Sequence, residues 1–317
     1  MAPWERTHGA PVTGRGTGDG PVSGGTVGAG PPVALTVAGS DSASGAGLQA
    51  DLKAMSALGV FATTAVTLVT AQNTAEVRGV LAVPPEMVDA QISAVLDDLA
   101  VAAVKTGLLG SAGVVDVVAR RAAAGELPRL VVDPVLVASD GRPIVDGAGV
   151  AATRDRLLPH ALLATPNLAE AAILAGVDRA DLVDVPAMVE AARRIHDLGP
   201  AWVLVKGGGL PGVGVGVGVG VGSAGPGGAP EVVTDVLFDG AEATVLTSPR
   251  VDTANTHGTG CSLSAAVAAH LARGDDLPAA VSAARSFVHR ALRNGSTWRL
   301  GHGHGPLDPF GWSAPGR

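Results

Sequence analysis

The chain has 317 residues, of which 45 are Gly and 22 Pro; 47% are apolar, 16% charged and 3% aromatic. No Gly-X-Y period runs through it, which excludes a collagen, and the apolar fraction excludes a chain that stays unfolded throughout. A net charge of −7 with only three lysines (Lys53, Lys105, Lys206) excludes a broad basic surface, so no nucleic-acid partner is expected.

The single cysteine, Cys261, excludes an internal disulfide and any multi-cysteine metal site. No apolar run reaches the roughly 18 residues of a membrane span, so no membrane partner is expected. Gly, Pro and Thr interrupt every candidate signal core near the N-terminus. A cytoplasmic protein is the expectation.

Residues 1–32 repeat Gly, Pro, Ser and Thr and carry too little apolar surface to offset ordering entropy; they predict a disordered N-terminal tail. The core starts at Val33. VALTVA (33–38) predicts a short buried strand and GSDSASGAG (39–47) a polar loop. Leu48, Leu52 and Met55 recur at helical spacing, with Gly59 as a stop. Residues 63–70 are β-branched and strand-like. Pro84 and Pro85 suit a helix entry, and Val88, Ile92, Val95, Leu96 and Leu99 form one stripe.

The alternation continues with strands at 101–105, 130–133, 162–165 and 202–206. Helices are expected around Val114 to Val118, over 167–175 and around Met188 to Ile195. Residues 207–230 contain a Val-Gly alternation, read as a mobile insertion over 210–230, since Gly at every second position offers no packing. Strands at 232–238 and 243–246 flank Asp239-Gly240, a hairpin signal. Helices at 259–273 and 277–293 close the domain, expected over 33–306 with a C-terminal tail at 307–317. Strands alternating with helices predict a mostly parallel sheet covered on both faces, with ligands beyond the carboxyl ends of its strands.

Several motifs point to chemistry, each with a plainer reading. In NTHGTGC (255–261), Gly258 and Gly260 let backbone N–H groups turn inward at a helix start, which makes an anion hole; alone, Gly-Thr-Gly is also a common tight turn. Cys261 reads as a small buried residue or as a thiol whose ionisation the helix start favours. Asn167-Leu-Ala-Glu170 reads as a helix cap. Gln72 offers a donor and an acceptor to a heteroaromatic edge, or sits in a turn. Lys206 at a strand end reads as a loop start. His302 and His304 are weak metal candidates. G-x-G-x-x-A at 45–50 is displaced from its strand, which weakens a dinucleotide site; a Walker loop and a nucleophile elbow are absent.

AGSDSASGAGLQADLKAMSALGV (38–60), AQNT (71–74), KTGLLG (105–110), VVDPV (131–135), TPNLAEA (165–171), VKGGG (205–209), NTHGTGC (255–261) and GHGHGP (301–306) together resemble the hydroxymethylpyrimidine kinase/phosphomethylpyrimidine kinase family of the ribokinase-like superfamily. The resemblance implies a three-layer α/β/α fold and ATP-dependent phosphorylation of a hydroxymethylpyrimidine and then of its monophosphate. It implies Mg²⁺, a homodimer, and an anion hole from Gly258, Thr259 and Gly260. Cys261 stands where sugar-kinase relatives carry a catalytic Asp, as base or orienter of the hydroxyl. Gln72, Asp51, Gly39 and Leu108 would line the pyrimidine site. Asn167, Lys206 and Thr256 would meet the nucleotide, and Glu170 and Asp133 would organise the metal. Leu108, where the family often has Met, and Thr70 depart from the pattern and leave a pyridoxal or pyridoxine kinase as the alternative. A non-catalytic pyrimidine binder is the more distant one.

Overall fold

A computed structural model describes residues 30–138, 141–208 and 232–313. The disordered tail expected over 1–32 lies almost wholly outside them, and the expected insertion at 210–230 lies wholly outside.

Among the described residues nine strands form one sheet in the order β3-β2-β1-β4-β5-β6-β7-β8-β9. β1 (Val33–Asp41), β2 (Phe61–Gln72), β4 (Val101–Thr106), β5 (Val131–Val132), β6 (Leu163–Ala164) and β7 (Trp202–Lys206) run parallel. β3 (Val77–Ala82) lies antiparallel on one edge, and β8 (Val232–Phe238) with β9 (Ala243–Pro249) antiparallel on the other. The helices are α1 (Gly47–Ala57), α2 (Pro85–Leu96), α3 (Ala112–Ala123), α4 (Gly147–Ala152), α5 (Leu168–Ala175), α6 (Val185–His196), α7 (Thr259–Ala272) and α8 (Leu277–Gly295).

Strand parity divides the core in two. Leu35, Val37, Val104, Val132, Ala164, Val203 and Val205 face the side covered by α2, α3, α5 and α6. Their neighbours Ala34, Ala103, Val131, Leu163 and Leu204 face α1, α7 and α8. Successive side chains of a strand point to opposite faces, so each short apolar run serves both layers. The three layers are those that the resemblance implies.

Two expectations are corrected and one strand is added. First, β1 runs on through residues 39–41, which were read as loop, and its register shifts between Ala38 and Ser40. The bulge lets the ladder continue where polar residues hide the strand pattern. Second, β3 was not anticipated. All six of its residues are exposed, so no buried face writes a period into its sequence. Third, the chain does not leave the domain after Pro306. Leu307 and Asp308 are buried, Leu307 packs with the α7–α8 core, and Asp308 N donates to Ala291 O. Asp239 accepts from Ala241 N and Glu242 N at the β8–β9 turn, the expected hairpin.

Leu307→Ala should therefore cost about 2–4 kcal/mol, the usual range for emptying a buried leucine site. Urea unfolding should show a lower midpoint at an unchanged slope; an unmoved midpoint would mean that the segment beyond 306 is a tail after all.

Candidate active site

The parity that places Ala34, Ala103, Val131, Leu163 and Leu204 under α7 also governs the residues two further along. Lys105, Asp133, Thr165 and Lys206 therefore stand at or just past the carboxyl ends of their strands, with Thr36 of β1 level with Lys105, all on the α1/α7 face, and all are buried. Five polar side chains in one buried row must find partners in one another or in the helices above.

They do. Lys105 Nζ lies 2.9 and 2.8 Å from the two oxygens of Asp51 on α1, and Thr36 Oγ1 donates to Asp51 at 2.6 Å. Both members of the ion pair have no exposure. Burial works against the charge of Lys105, but the Asp51 carboxylate beside it holds its pKa above the ordinary value. Lys206 Nζ donates to Asp133 Oδ1 at 2.9 Å, and Thr165 Oγ1 donates to the same oxygen at 3.2 Å. Burial also opposes charge on Asp133, yet Lys206 and Lys105 together hold its carboxyl below the usual range.

Above this row sits the start of α7. Its N-cap, Gly258, has φ +82°, and a Cβ there would meet the Gly45 carbonyl. A glycine is thus required twice over, for the left-handed turn and for the approach of the 39–47 segment. Ser262 N donates to Gly258 O and Thr259 N to Thr256 O. Helix geometry leaves the N–H groups of Gly260 and Cys261 without an intrahelical acceptor. A Cβ on Gly260 would stand 3.2 Å from Lys206 Nζ, so the ammonium lies against the first turn of α7. Two N–H groups and the positive end of a helix dipole, with an ammonium beside the first turn, make this helix start a candidate anion site.

The Cys261 thiol sits at the same spot. It was expected to be favoured as thiolate by the helix start. Instead burial pushes it up to about 11; Lys105 and the Gly47 N–H pull the other way, and Asp133 and Asp51 add to the rise. The thiol is a neutral S–H at physiological pH.

Asn167 caps α5, accepting from Ala169 N and Glu170 N, while Glu170 Oε2 accepts from Asn167 N at 2.8 Å, a complete capping box. Burial pushes the Glu170 carboxyl up to about 8, with Lys206 pulling it down and Asp133 pushing it further up. Asn167 also bridges Lys206 in parallel register, which joins the cap to the row. Among the described residues no three His, Cys, Asp or Glu side chains cluster as a metal cage.

The structure thus brings together Cys261, Gly258, Thr259, Gly260, Asp51, Asp133, Lys206, Asn167 and Glu170. Thr259 is buried and its hydroxyl donates to Thr256 O, so both hold the loop. Gly39 lies at the β1 bulge beside Leu68. Leu108 is half-buried and packs against the α2–α3 core, with its carbonyl accepting from Thr67. Gln72 ends β2 at the rim. His302 and His304 are exposed.

Three participants were not singled out in the sequence: Lys105, Asp41 and His257. Asp41 accepts from Ala43 N, Gly45 N and Ala46 N, and its Oδ2 lies 3.0 Å from His257 Nε2. It clamps the 39–47 segment onto the 255–261 segment. A lysine inside a strand that otherwise reads as buried was the available signal for Lys105, because a buried ammonium needs a partner. Locally Asp41 reads only as a turn residue, and nothing local marked His257.

The family model described as phosphomethylpyrimidine kinase matches residues 41–308. The chain belongs to that family. It is 45% identical to the hydroxymethylpyrimidine/phosphomethylpyrimidine kinase of Streptomyces coelicolor, over 89% of this chain and 96% of that one. Among solved structures it resembles the phosphomethylpyrimidine kinase of Clostridium difficile (TM-score 0.67, 31% identity, 82% of this chain and 99% of that one). It also resembles the pyridoxal kinase of Staphylococcus aureus in complex with AMP-PCP and pyridoxal (TM-score 0.77, 29% identity, 90% and 96%). The fold is ribokinase-like, the chain is a kinase, and ATP is the co-substrate of its class.

Lys105→Met should cost about 3–5 kcal/mol, because it strands a buried carboxylate. Asp51→Leu in the same chain should recover most of that in urea unfolding. Glu170 makes stability depend on pH. The unfolded chain gives up this proton near its ordinary value of 4.5 and the folded chain near 8. Between the two the folded chain holds the extra proton, so stability falls as pH rises through that window. In Glu170→Gln, without nucleotide, this slope should vanish from melting curves taken between pH 5 and 8.

Proposed function

We propose that the chain transfers the γ-phosphoryl group of ATP to the hydroxymethyl group of 4-amino-5-hydroxymethyl-2-methylpyrimidine. We further propose a second transfer onto the monophosphate, giving the pyrophosphate used in thiamine biosynthesis. The observation that carries this reading is the candidate anion site at the start of α7, with the N–H groups of Gly260 and Cys261 and the Lys206 ammonium beside that turn. Phosphoryl transfer asks mostly for positioning and for donors aimed at the charge that develops on the moving group.

The substrate oxygen bonds to the γ-phosphorus as the bond from phosphorus to the β–γ bridging oxygen breaks, ADP leaves with that oxygen, and the hydroxyl proton passes to solvent water as the new bond forms. Lys206 and the helix start hold the transferring oxygens. Cys261, neutral in this setting, orients the hydroxyl rather than taking its proton beforehand. Gln72 meets the aminopyrimidine edge, and Asp51, Gly39 and Leu108 stand behind the ring. Asn167 and Thr256 lie on the nucleotide side.

Mg²⁺ fits the donor set in one manner. Asp133 is already engaged by Lys206 and Thr165, and Glu170 by its helix cap, so neither offers a bare carboxylate. These residues would hold the ion through water, as Mg²⁺ commonly keeps several waters and is carried in on phosphates. When bound, it would neutralise charge shared between the β- and γ-phosphates. As partner we propose a second copy of the chain, supported by the apolar side chains that β2 and β3 leave exposed, Val69, Val80 and Leu81. A cytoplasmic location, where ATP is supplied, completes the reading.

Release of ADP should be measured with the pyrimidine, its monophosphate or pyridoxal as acceptor. Both pyrimidine species should be used, with pyridoxal at least about tenfold poorer in kcat/KM; the reverse preference would make the chain a pyridoxal kinase. Gln72→Ala should lose about 2–4 kcal/mol in kcat/KM for the pyrimidine, the cost of an unpaired polar edge. Cys261→Ala should lower kcat by about tenfold or more without removing a limb from its pH profile. Loss of a limb below pH 8 would restore the thiolate as base.

A further inference from the structure

Around Gln72 the donors and acceptors do not balance as they stand. The Asp41 carboxylate accepts three backbone N–H groups, and these with His257 hold its pKa low despite burial. A carboxylate only accepts, so His257 Nε2, 3.0 Å from Asp41 Oδ2, carries its proton there. That same Nε2 lies 3.3 Å from the Gln72 amide nitrogen, which is also a donor. On the other side, Thr70 Oγ1 has one proton, and two acceptors compete for it: Ser40 O at 3.0 Å and Gln72 Oε1 at 3.3 Å.

Turning the amide over resolves both conflicts at once, because its oxygen and nitrogen occupy nearly the same space. Oε1 then accepts from His257 Nε2–H, which it shares with Asp41. The amide nitrogen donates to Thr70 Oγ1, whose own proton goes to Ser40 O. The bonds then run in one sense from His257 through Gln72 and Thr70 to Ser40 O, and Asp41 fixes the donor end by accepting from the same Nε2–H.

We propose that Asp41, through His257, and Thr70 lock the Gln72 amide in this sense, and that the lock selects an amino-substituted ring over its oxo counterpart. His257 and Thr70 are positioning residues; the proposal rests on the reading that Gln72 meets the ring. The locked amide still has one N–H and one lone pair free. It can accept from an exocyclic amino group on the His257 side and donate to the adjacent ring nitrogen on the Thr70 side. A 4-oxo ring reverses that pattern, presenting an acceptor where the lock demands a donor and an N–H where it demands an acceptor. An unlocked glutamine could rotate and serve either ring. The ring of His257 is itself held in place, since a Cβ on Gly45 would collide with it.

The test is the ratio of kcat/KM for 4-amino-5-hydroxymethyl-2-methylpyrimidine to that for its 4-oxo analogue. In His257→Leu the ratio should fall by at least about tenfold, chiefly through the KM values. In His257→Gln, whose amide nitrogen can donate to both Asp41 and Gln72, it should return to within about threefold of the parent. Thr70→Val, nearly isosteric, should also lower the ratio and serves if His257→Leu does not fold. In a Gln72→Ala background neither change should move it further. If Gln72→Ala collapses the ratio while His257→Leu and Thr70→Val leave it intact, or their effects simply add, the lock is refuted. Equal losses of kcat in His257→Leu and His257→Gln at a constant ratio would refute it as well. If Gln72→Ala leaves the ratio unmoved, Gln72 does not read the ring, and the underlying reading fails with the lock.

Discussion

A row of buried polar side chains on one face of the sheet is the constraint around which the rest of the molecule is arranged. Thr36, Lys105, Asp133, Thr165 and Lys206 inherit their direction from strand parity, and none of them reaches water. An ammonium or carboxylate in that position is costly unless paired, so the helices above must bring the partners. α1 brings Asp51 to Lys105, while Asp133 and Lys206 satisfy each other. The row gives the start of α7 a fixed floor of paired charges, with the Lys206 ammonium nearest Gly260.

That floor explains the division of labour at the site. The helix start supplies donors that need no side chain, and Lys206 supplies the charge beside them. The same surroundings keep the Cys261 thiol protonated, because burial, with two carboxylates adding to it, outweighs the nearby ammonium and the Gly47 N–H. The position that the sequence resemblance sets opposite the catalytic Asp of sugar kinases thus holds a neutral group here. A transfer that depends on positioned charge tolerates this exchange better than one that needs a strong base.

The two polar segments, 39–47 and 255–261, are far apart in the chain and meet through Asp41, Gly45, His257 and Gly258. Asp41 takes up the N–H groups of its own segment and ties His257 to it. Phosphate side and ring side of the site are therefore not independent. The turn that aims Gly260 and Cys261 also carries His257 to Gln72, so a shift in one segment reaches the other.

By itself the sequence determined the alternation of strands and helices, because short apolar runs and helical stripes have different periods. It also determined β7, the α5 cap and the α7 start nearly to the residue, since Asn and Gly act through local backbone geometry. The set of motifs determined the family. Only the tertiary structure decided where β1 ends, that β3 exists, and that Leu307 and Asp308 belong to the core. It alone decided the partners of Lys105, Asp41 and His257 and the protonation of Cys261 and Glu170. Those depend on groups such as Lys105 and Asp51, or Asp41 and His257, 54 and 216 residues apart in the chain, brought within hydrogen-bond reach, and on the loss of water around them. A local pattern carries neither, because pairing across the sheet and desolvation are properties of the packed molecule.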